Sequence, residues 1–267
     1  MLAFPSGNAG KNFNHIHTVV RYQKGGTMNT IMEIDNVEKS YGTAQILNHC
    51  SLQLYEGEIY GLLGINGAGK TTLMKMILNL QKIDNGRIYI LGKEISEDYR
   101  YLQNIGSMIE TPSFYEHLNA YELLSMQLSY YGKKADIEKI IQMVGLEEVD
   151  KKPISKYSLG MKQRLGIGRA IIHNPKLLIL DEPLNGLDPV GISEVRTLFK
   201  SLTREGMSIL LSSHILEEVR QTSDRIGILS DGSVKEEFST SQKAAEWGAD
   251  FERYVIKLMR RNSYESV

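Results

Sequence analysis

Apolar and polar positions alternate along some stretches of the chain and recur at helical spacing along others. Ile31 to Val37 is short and rich in strand-forming residues. Leu52 and Leu54 alternate with Ser51, Gln53 and Tyr55, the pattern of a half-buried strand, and Glu56-Gly57 reads as a turn. Ile59–Leu63 is unbroken apolar sequence, which suits a strand covered on both faces. A glycine-rich loop and a helical stretch, Thr72–Leu80, follow. Asn85-Gly86 then opens a hairpin-like segment, Arg87–Leu91, Gly92 and Lys93–Ile95.

Between about residues 112 and 170 the pattern turns helical. Asn119 is a good N-cap, Glu122 three residues on completes a capping box, and Leu118 and Leu123 occupy the places of a hydrophobic staple. Gly132 ends that helix. Asp136 caps a second helix, ended by Gly145, and Ser158 caps a third. Residues 176–230 return to alternation: a strand at Leu177–Leu180, a helix from about Gly191, a strand at Ser208–Leu211, a helix from about Ile215 and a strand at Ile226–Leu229. Strand–helix alternation implies a parallel sheet. The expectation is one α/β domain over 28–240 with a helical insertion at about 112–170. In the tail, 241–267, Phe251, Val255, Leu258 and Met259 lie at helical spacing and predict a helix packed on its own domain; a partner-binding helix is the alternative.

Residues 1–27 show neither periodicity nor an apolar core of the secretory kind. Lys24-Gly25-Gly26 is encodable as a bacterial ribosome-binding sequence just before Met28. Residues 1–27 therefore read as a translated leader, with a disordered or docking arm as the alternative.

Composition narrows the picture. The 267 residues are 42% hydrophobic and 24% charged with net charge −1, so no basic excess points to nucleic acid. The single cysteine, Cys50, excludes an internal disulfide framework and reads as a small buried residue. No stretch reaches the roughly 18–20 apolar residues that span a bilayer. If the chain drives transport, another chain supplies the membrane path.

The chemistry sits in two segments. Gly64-Ile65-Asn66-Gly67-Ala68-Gly69-Lys70-Thr71 fits G-x-x-x-x-G-K-[ST] between a strand and a helix. Its glycines let successive N–H groups turn toward phosphate, and the helix beginning near Thr72 adds its positive end. Lys70 would reach the β and γ phosphates, and Thr71 would offer a hydroxyl to Mg²⁺. In Leu177–Glu182 an apolar strand ends in two acids, at the C-terminal strand end where open α/β sheets bind ligands. Asp181 would hold Mg²⁺ or its water, and Glu182 would polarise the attacking water. Together these read as a P-loop nucleotide hydrolase.

Five further features, in order over roughly residues 30–232, resemble the ATP-binding subunits of ABC transporters. Tyr41 stands where that family stacks a ring on adenine. Tyr157-Ser158-Leu159-Gly160-Met161-Lys162-Gln163-Arg164 resembles the signature LSGGQ-x-Q-R, matching at Ser158 and Gly160 and departing at Leu159 and Met161. Asn185-Gly186-Leu187-Asp188 resembles the D-loop, and His214 the switch histidine. The fifth is a departure: Glu110 stands where the family usually has glutamine, and it would carry an extra charge to the metal. Glu110, the residues Thr111–Tyr115 and the YSLGMKQRL stretch resemble the bacitracin and lantibiotic-immunity exporters of Gram-positive bacteria.

The resemblance implies an ABC ATPase fold with a parallel sheet, an antiparallel β subdomain and the helical insertion. It also implies ATP and Mg²⁺ as ligands, with Ser158, Gly160 and Asp188 facing the ATP of a second subunit. A homodimer is the simplest pairing and a heterodimer the alternative. An integral membrane permease, with the chain peripheral on the cytoplasmic face, is the implied partner. A soluble, non-transport ABC ATPase remains the rival function.

Overall fold

In the computed structural model, which describes residues 29–95, 99–110, 113–243 and 249–259, the apolar runs become the middle of a six-stranded sheet. Five of its strands are parallel: β3 (Ile59–Leu63), β6 (Ile105–Met108), β7 (Leu177–Leu180), β8 (Ser208–Ser213) and β9 (Arg225–Ser230). The order is β10-β9-β3-β8-β7-β6, and β10 (Ser233–Ser239) adds an antiparallel edge. Every residue of β3, β7, β8 and β9 is buried, as expected of strands covered on both faces. A second sheet is wholly antiparallel, ordered β2-β1-β4-β5: β1 (Thr30–Tyr41), β2 (Ala44–Tyr55), β4 (Asn85–Ile90) and β5 (Lys93–Glu94).

Side chains of a strand point alternately to opposite faces, so each central strand feeds two cores. Ile59, Leu63, Leu178, Leu180, Ile209 and Leu211 join one core with the helices α2 (Ala120–Tyr131), α3 (Ile137–Met143), α4 (Leu159–Ile171) and α5 (Pro189–Arg204). Tyr60, Leu62, Leu177, Ile179 and Leu210 join the other, with the antiparallel sheet and α1 (Lys70–Ile77). The chain continues through α6 (Leu216–Thr222), α7 (Thr240–Lys243) and α8 (Ala249–Met259). The apolar stripe of α8 packs on its own domain: Val255, Leu258 and Met259 are buried, and Phe251 meets Phe238 edge-on.

The helix caps form as the sequence predicts. Asn119 and Glu122 exchange their side-chain bonds to each other's backbone N–H, and Gly132 closes α2 in a left-handed conformation. Asp136 and Ser158 cap α3 and α4. Boundaries differ at three places. Helix α1 begins at Lys70 and ends at Ile77, earlier at both ends than Thr72–Leu80. Helix α5 begins at Pro189 because Asp188 accepts from Gly191 N at 2.7 Å, which puts the proline at the first helical position. The insertion turns helical only at Ala120. Residues 1–27, Thr111-Pro112 and the last residues of the tail lie outside the described ones, and with them the leader reading.

Two features lock the layers together. The guanidinium of Arg225 bonds both oxygens of Glu58, reaches Glu237 at 3.1 Å and donates to the carbonyl of Gln53. It lies between the rings of Tyr55 and Tyr60, 4.9 and 4.8 Å from their centroids. Burial disfavours its charge, but the Glu58 bonds and the Glu237 and Glu58 charges outweigh that and raise its pKa. Because Gln53 and Tyr55 belong to β2 and Arg225 to β9, this network joins the two sheets. At the other edge, a Cβ on Gly106 would lie 2.0 Å from the carbonyl oxygen of Ala170, so only glycine lets α4 lean this closely on β6.

His173, just past α4, is buried. Its Nε2 donates to the carbonyl of Ile105 at 3.0 Å, and its ring stacks on Tyr131 at 3.8 Å. Nδ1 has no hydrogen-bond partner, so protonating it would bury an unmatched N–H. Burial is the main cause that lowers its pKa to about 4, with the Lys133 charge adding to it. The unfolded chain therefore binds a proton near pH 6.5 that the folded chain refuses until about pH 4. Stability from this group is complete above pH 6.5 and falls as the pH drops toward 4. Urea unfolding at pH 7 and pH 4.5 should show His173→Phe losing less stability than wild type, by about 2 kcal/mol. Equal losses would contradict the assignment.

Candidate functional site

The phosphate-type loop lies between the end of β3 and the start of α1. Its backbone needs glycine where it turns hardest. Gly67 and Gly69 have φ of 84° and 103°, and a Cβ on Gly69 would press on Leu47 and on the Ile46 carbonyl. A Cβ on Gly64 would lie 2.7 Å from the carbonyl oxygen of Leu229. Gly64 N donates to Ser213 O at 3.2 Å, and Ala68 N to Ile65 O at 3.2 Å, so the loop is fixed to the end of β8. Asn66 and Gly67 are exposed at its tip, Ala68 is nearly buried and Thr72 half-buried. Lys70 is 6% exposed, and its ammonium is held by the carbonyls of Gly64 (2.7 Å) and Ile65 (3.2 Å).

The two acids at the end of β7 meet this loop. Thr71 Oγ1 donates to Asp181 Oδ2 at 2.6 Å. Glu182 Oε1 lies 3.5 Å from Lys70 Nζ, and its Oε2 accepts from His214 Nδ1 at 3.0 Å. Glu182 adopts φ 48°, a left-handed conformation that non-glycine residues rarely take and that gathers at functional sites. Lys70, Thr71, Asp181, Glu182 and His214, taken from three strand ends, thus form one connected constellation. The Thr71 hydroxyl and the Asp181 carboxylate are a hard-oxygen pair that suits Mg²⁺, which takes one or two protein ligands and fills its shell with water and phosphate oxygen. Among the described residues no group of three or more His, Cys, Asp or Glu could hold a metal, so such an ion would depend on phosphate for the rest of its shell.

Ser158, Gly160 and Asp188 fall in a second group. Ser158 caps α4 through Met161 N at 3.2 Å. The Gly186–Leu187 turn packs on the first residues of α4: a Cβ on Gly186 would meet Leu159 at 2.6 Å, and one on Gly160 would be 3.3 Å from Gly186 O. Leu159 itself is 56% exposed. Tyr41, at the end of β1, is 45% exposed, its ring open beside Lys39 Nζ at 5.6 Å. Lys39 pairs with Asp84, whose carboxyl it holds below the ordinary range together with Ser40 N. Glu110 stands two residues past β6 with φ 62° and pairs with Lys75 at 2.6 Å.

Sequence reasoning gave no role to two residues that hold the acids. Ser212, fully buried on β8, donates to Asp181 Oδ1 and accepts from Glu182 N at 2.9 Å. Gln163, 5% exposed on α4, donates to the Glu182 carbonyl at 3.1 Å and joins the two groups. The signal for Ser212 was a pair of hydroxyls directly after the apolar run Ile209–Leu211; for Gln163 it was a polar residue on a buried helix face.

The model of the ABC transporter family matches residues 47–185. An uncharacterized ABC transporter ATP-binding protein of Bacillus subtilis, YcbN, is 50% identical over 79% of this chain and 70% of its own length. The bacitracin transport ATP-binding protein BcrA of Enterococcus faecalis is 46% identical over 80% of this chain and 71% of its own. The lantibiotic transport ATP-binding protein SrtF of Streptococcus pyogenes is 43% identical over 81% and 95%. A solved ATP-binding subunit of an ABC transporter superposes with a TM-score of 0.75 at 29% identity, over 86% of this chain and 99% of that one. A dimeric ATP-binding cassette in a post-hydrolysis state with ADP and Pi gives 0.72 at 25%, over 78% and 98%. No helix among the described residues is long and apolar enough to cross a membrane. The chain belongs to the ABC transporter family, as an ATP-binding, ATP-hydrolysing subunit.

Proposed function

We propose that two copies of this chain pair on the cytoplasmic face of a separate membrane permease and hydrolyse ATP to power export of a peptide antibiotic or bacteriocin. The observation that carries the catalytic part is the single constellation of Lys70, Thr71, Asp181, Glu182 and His214. The cargo class rests on the relatives named for bacitracin and lantibiotic transport. The pairing rests on the dimeric cassette among the similar structures and on the resemblance of Ser158 and Gly160 to the signature that faces a second subunit's ATP. Domain limits of 28–240, with the insertion at 112–170 and a tail at 241–267, belong to the same proposal.

In this reading the loop from Gly64 to Gly69 wraps the phosphates with backbone N–H groups, and Thr72 continues that contact along the helix start. Lys70 turns from its own carbonyls to the β and γ phosphates. Tyr41 offers its open ring to adenine. Thr71 and Asp181 would hold Mg²⁺, with Glu110 as a further oxygen for it, and the ion would supply charge neutralisation on the phosphates. Glu182 orients a water toward the γ phosphorus and takes its proton as the bond to ADP breaks. His214 fixes the rotamer of Glu182 and presents its other nitrogen to the γ phosphate. Ser158 and Gly160 at the start of α4, with Asp188 beside them, complete the site of the opposite subunit; a two-fold axis makes both sites alike.

Glu182→Gln should keep ATP binding and form an ATP-dependent dimer on a sizing column, while turnover falls about 100-fold or more. Undiminished turnover would remove Glu182 from its role. Ser212→Ala removes a donor from the buried Asp181 oxygen and an acceptor from Glu182 N. It should cost about 2 kcal/mol of stability. It should also lower kcat far more than it weakens ATP binding. A variant with wild-type kcat would show that Ser212 does not position the acids.

A further inference from the structure

Glu110 has a partner that the reaction does not account for. Lys75 sits in the last turn of α1, the helix that begins at the phosphate loop, and its ammonium reaches Glu110 Oε1 at 2.6 Å. The Glu110 hydrogen bond is the main cause that raises the pKa of Lys75. Thr71, whose hydroxyl meets Asp181, lies one turn before Lys75 on the same helix. Glu110 in turn follows β6, whose last residue accepts from Asp181 N at 2.8 Å through the Met108 carbonyl. Both partners are open to water, with side-chain exposures of 35% and 62%. A pair so exposed is weak and exchanges its partner readily.

We propose that Lys75 is a positioning residue that holds the Glu110 carboxylate on the α1 side while the site lacks Mg²⁺-nucleotide and releases it to the metal's shell on loading. The inference rests on the proposed assignment of Thr71, Asp181 and Glu110 to the metal side of the site. A carboxylate bound to an ammonium must leave it before it can serve a cation, so the pair competes with the metal. Glutamine offers a similar oxygen but no charge for Lys75 to hold. The carboxylate at 110 and the lysine at 75 are in this sense one device, which sets how much metal is needed before Glu110 leaves α1.

The test is Mg²⁺ titration of the full chain saturated with a fluorescent non-hydrolysable ATP analogue, read as metal-dependent fluorescence. Lys75→Met should tighten the apparent Mg²⁺ affinity by about two- to fivefold. Lys75→Arg, which can still pair, should stay close to wild type. Lys75→Met in a Glu110→Gln background should match Glu110→Gln alone. If Lys75→Met has no effect, or shifts affinity equally in both backgrounds, the ammonium acts on Asp181 through space or not at all, and the pairing is overturned. If the wild-type chain binds the analogue with no dependence on Mg²⁺, the metal assignment itself fails and takes this inference with it.

Discussion

A carboxylate buried at a strand end organises this molecule. Asp181 is 6% exposed, and a charge so placed needs donors around it. They come from separate parts of the chain: the Thr71 hydroxyl from α1 and the Ser212 hydroxyl from β8. Its own N–H is bound to β6 through Met108. These elements can meet only if β6, β7 and β8 are neighbours, which the parallel sheet provides. Satisfying one acid thus fixes the distance between the loop that would grip phosphate and the residues that would cut it. Glu182 inherits its strained backbone from the same arrangement, since Ser212 and Gln163 hold its N–H and carbonyl on either side.

Much of this was legible in the sequence because it is local. A capping box is four residues long, and Asn119–Glu122 formed as written. Apolar runs covered on both faces identify themselves, as in β3 and β7. The phosphate loop is contiguous, so its glycines announce their turns. Strand β1 was underestimated because Asn36, at φ 49°, interrupts its alternation, and the strand runs on to Tyr41 beyond the irregularity. Strand β10 was missed because Ser233–Ser239 is an edge with polar residues turned to water, which reads as loop. Ser212, Gln163 and Lys75 escaped for another reason. Their partners lie 19 to 35 positions away in the chain, and no spacing rule encodes a contact made by the tertiary fold.

The Arg225 network gives the two-sheet design a purpose. Tyr41 belongs to the antiparallel sheet, whereas Lys70, Asp181 and His214 follow the parallel one. A nucleotide bridging the two would need them at a constant separation. Arg225 spans that boundary with bonds to Glu58, Glu237 and the Gln53 carbonyl, flanked by two tyrosine rings. Breaking one member would strand a buried charge, so the joint holds only with its partners kept together.

The contact between Gly106 and Ala170 places the fulcrum of α4 at its C-terminal end, against β6. Ser158 lies just before the other end of this 13-residue helix, about 20 Å away at 1.5 Å per residue. The helix is therefore a lever with a short, stiff bearing at one end and, at the other, an arm that rests on the Gly186–Leu187 turn and the Gln163–Glu182 bond. A tilt of about 10° at the bearing would carry Ser158 through roughly 3 Å, the length of a hydrogen bond. Glycine at 106 is what makes the bearing tight: with any side chain there, α4 would stand off from β6, and small rotations would be lost as slack.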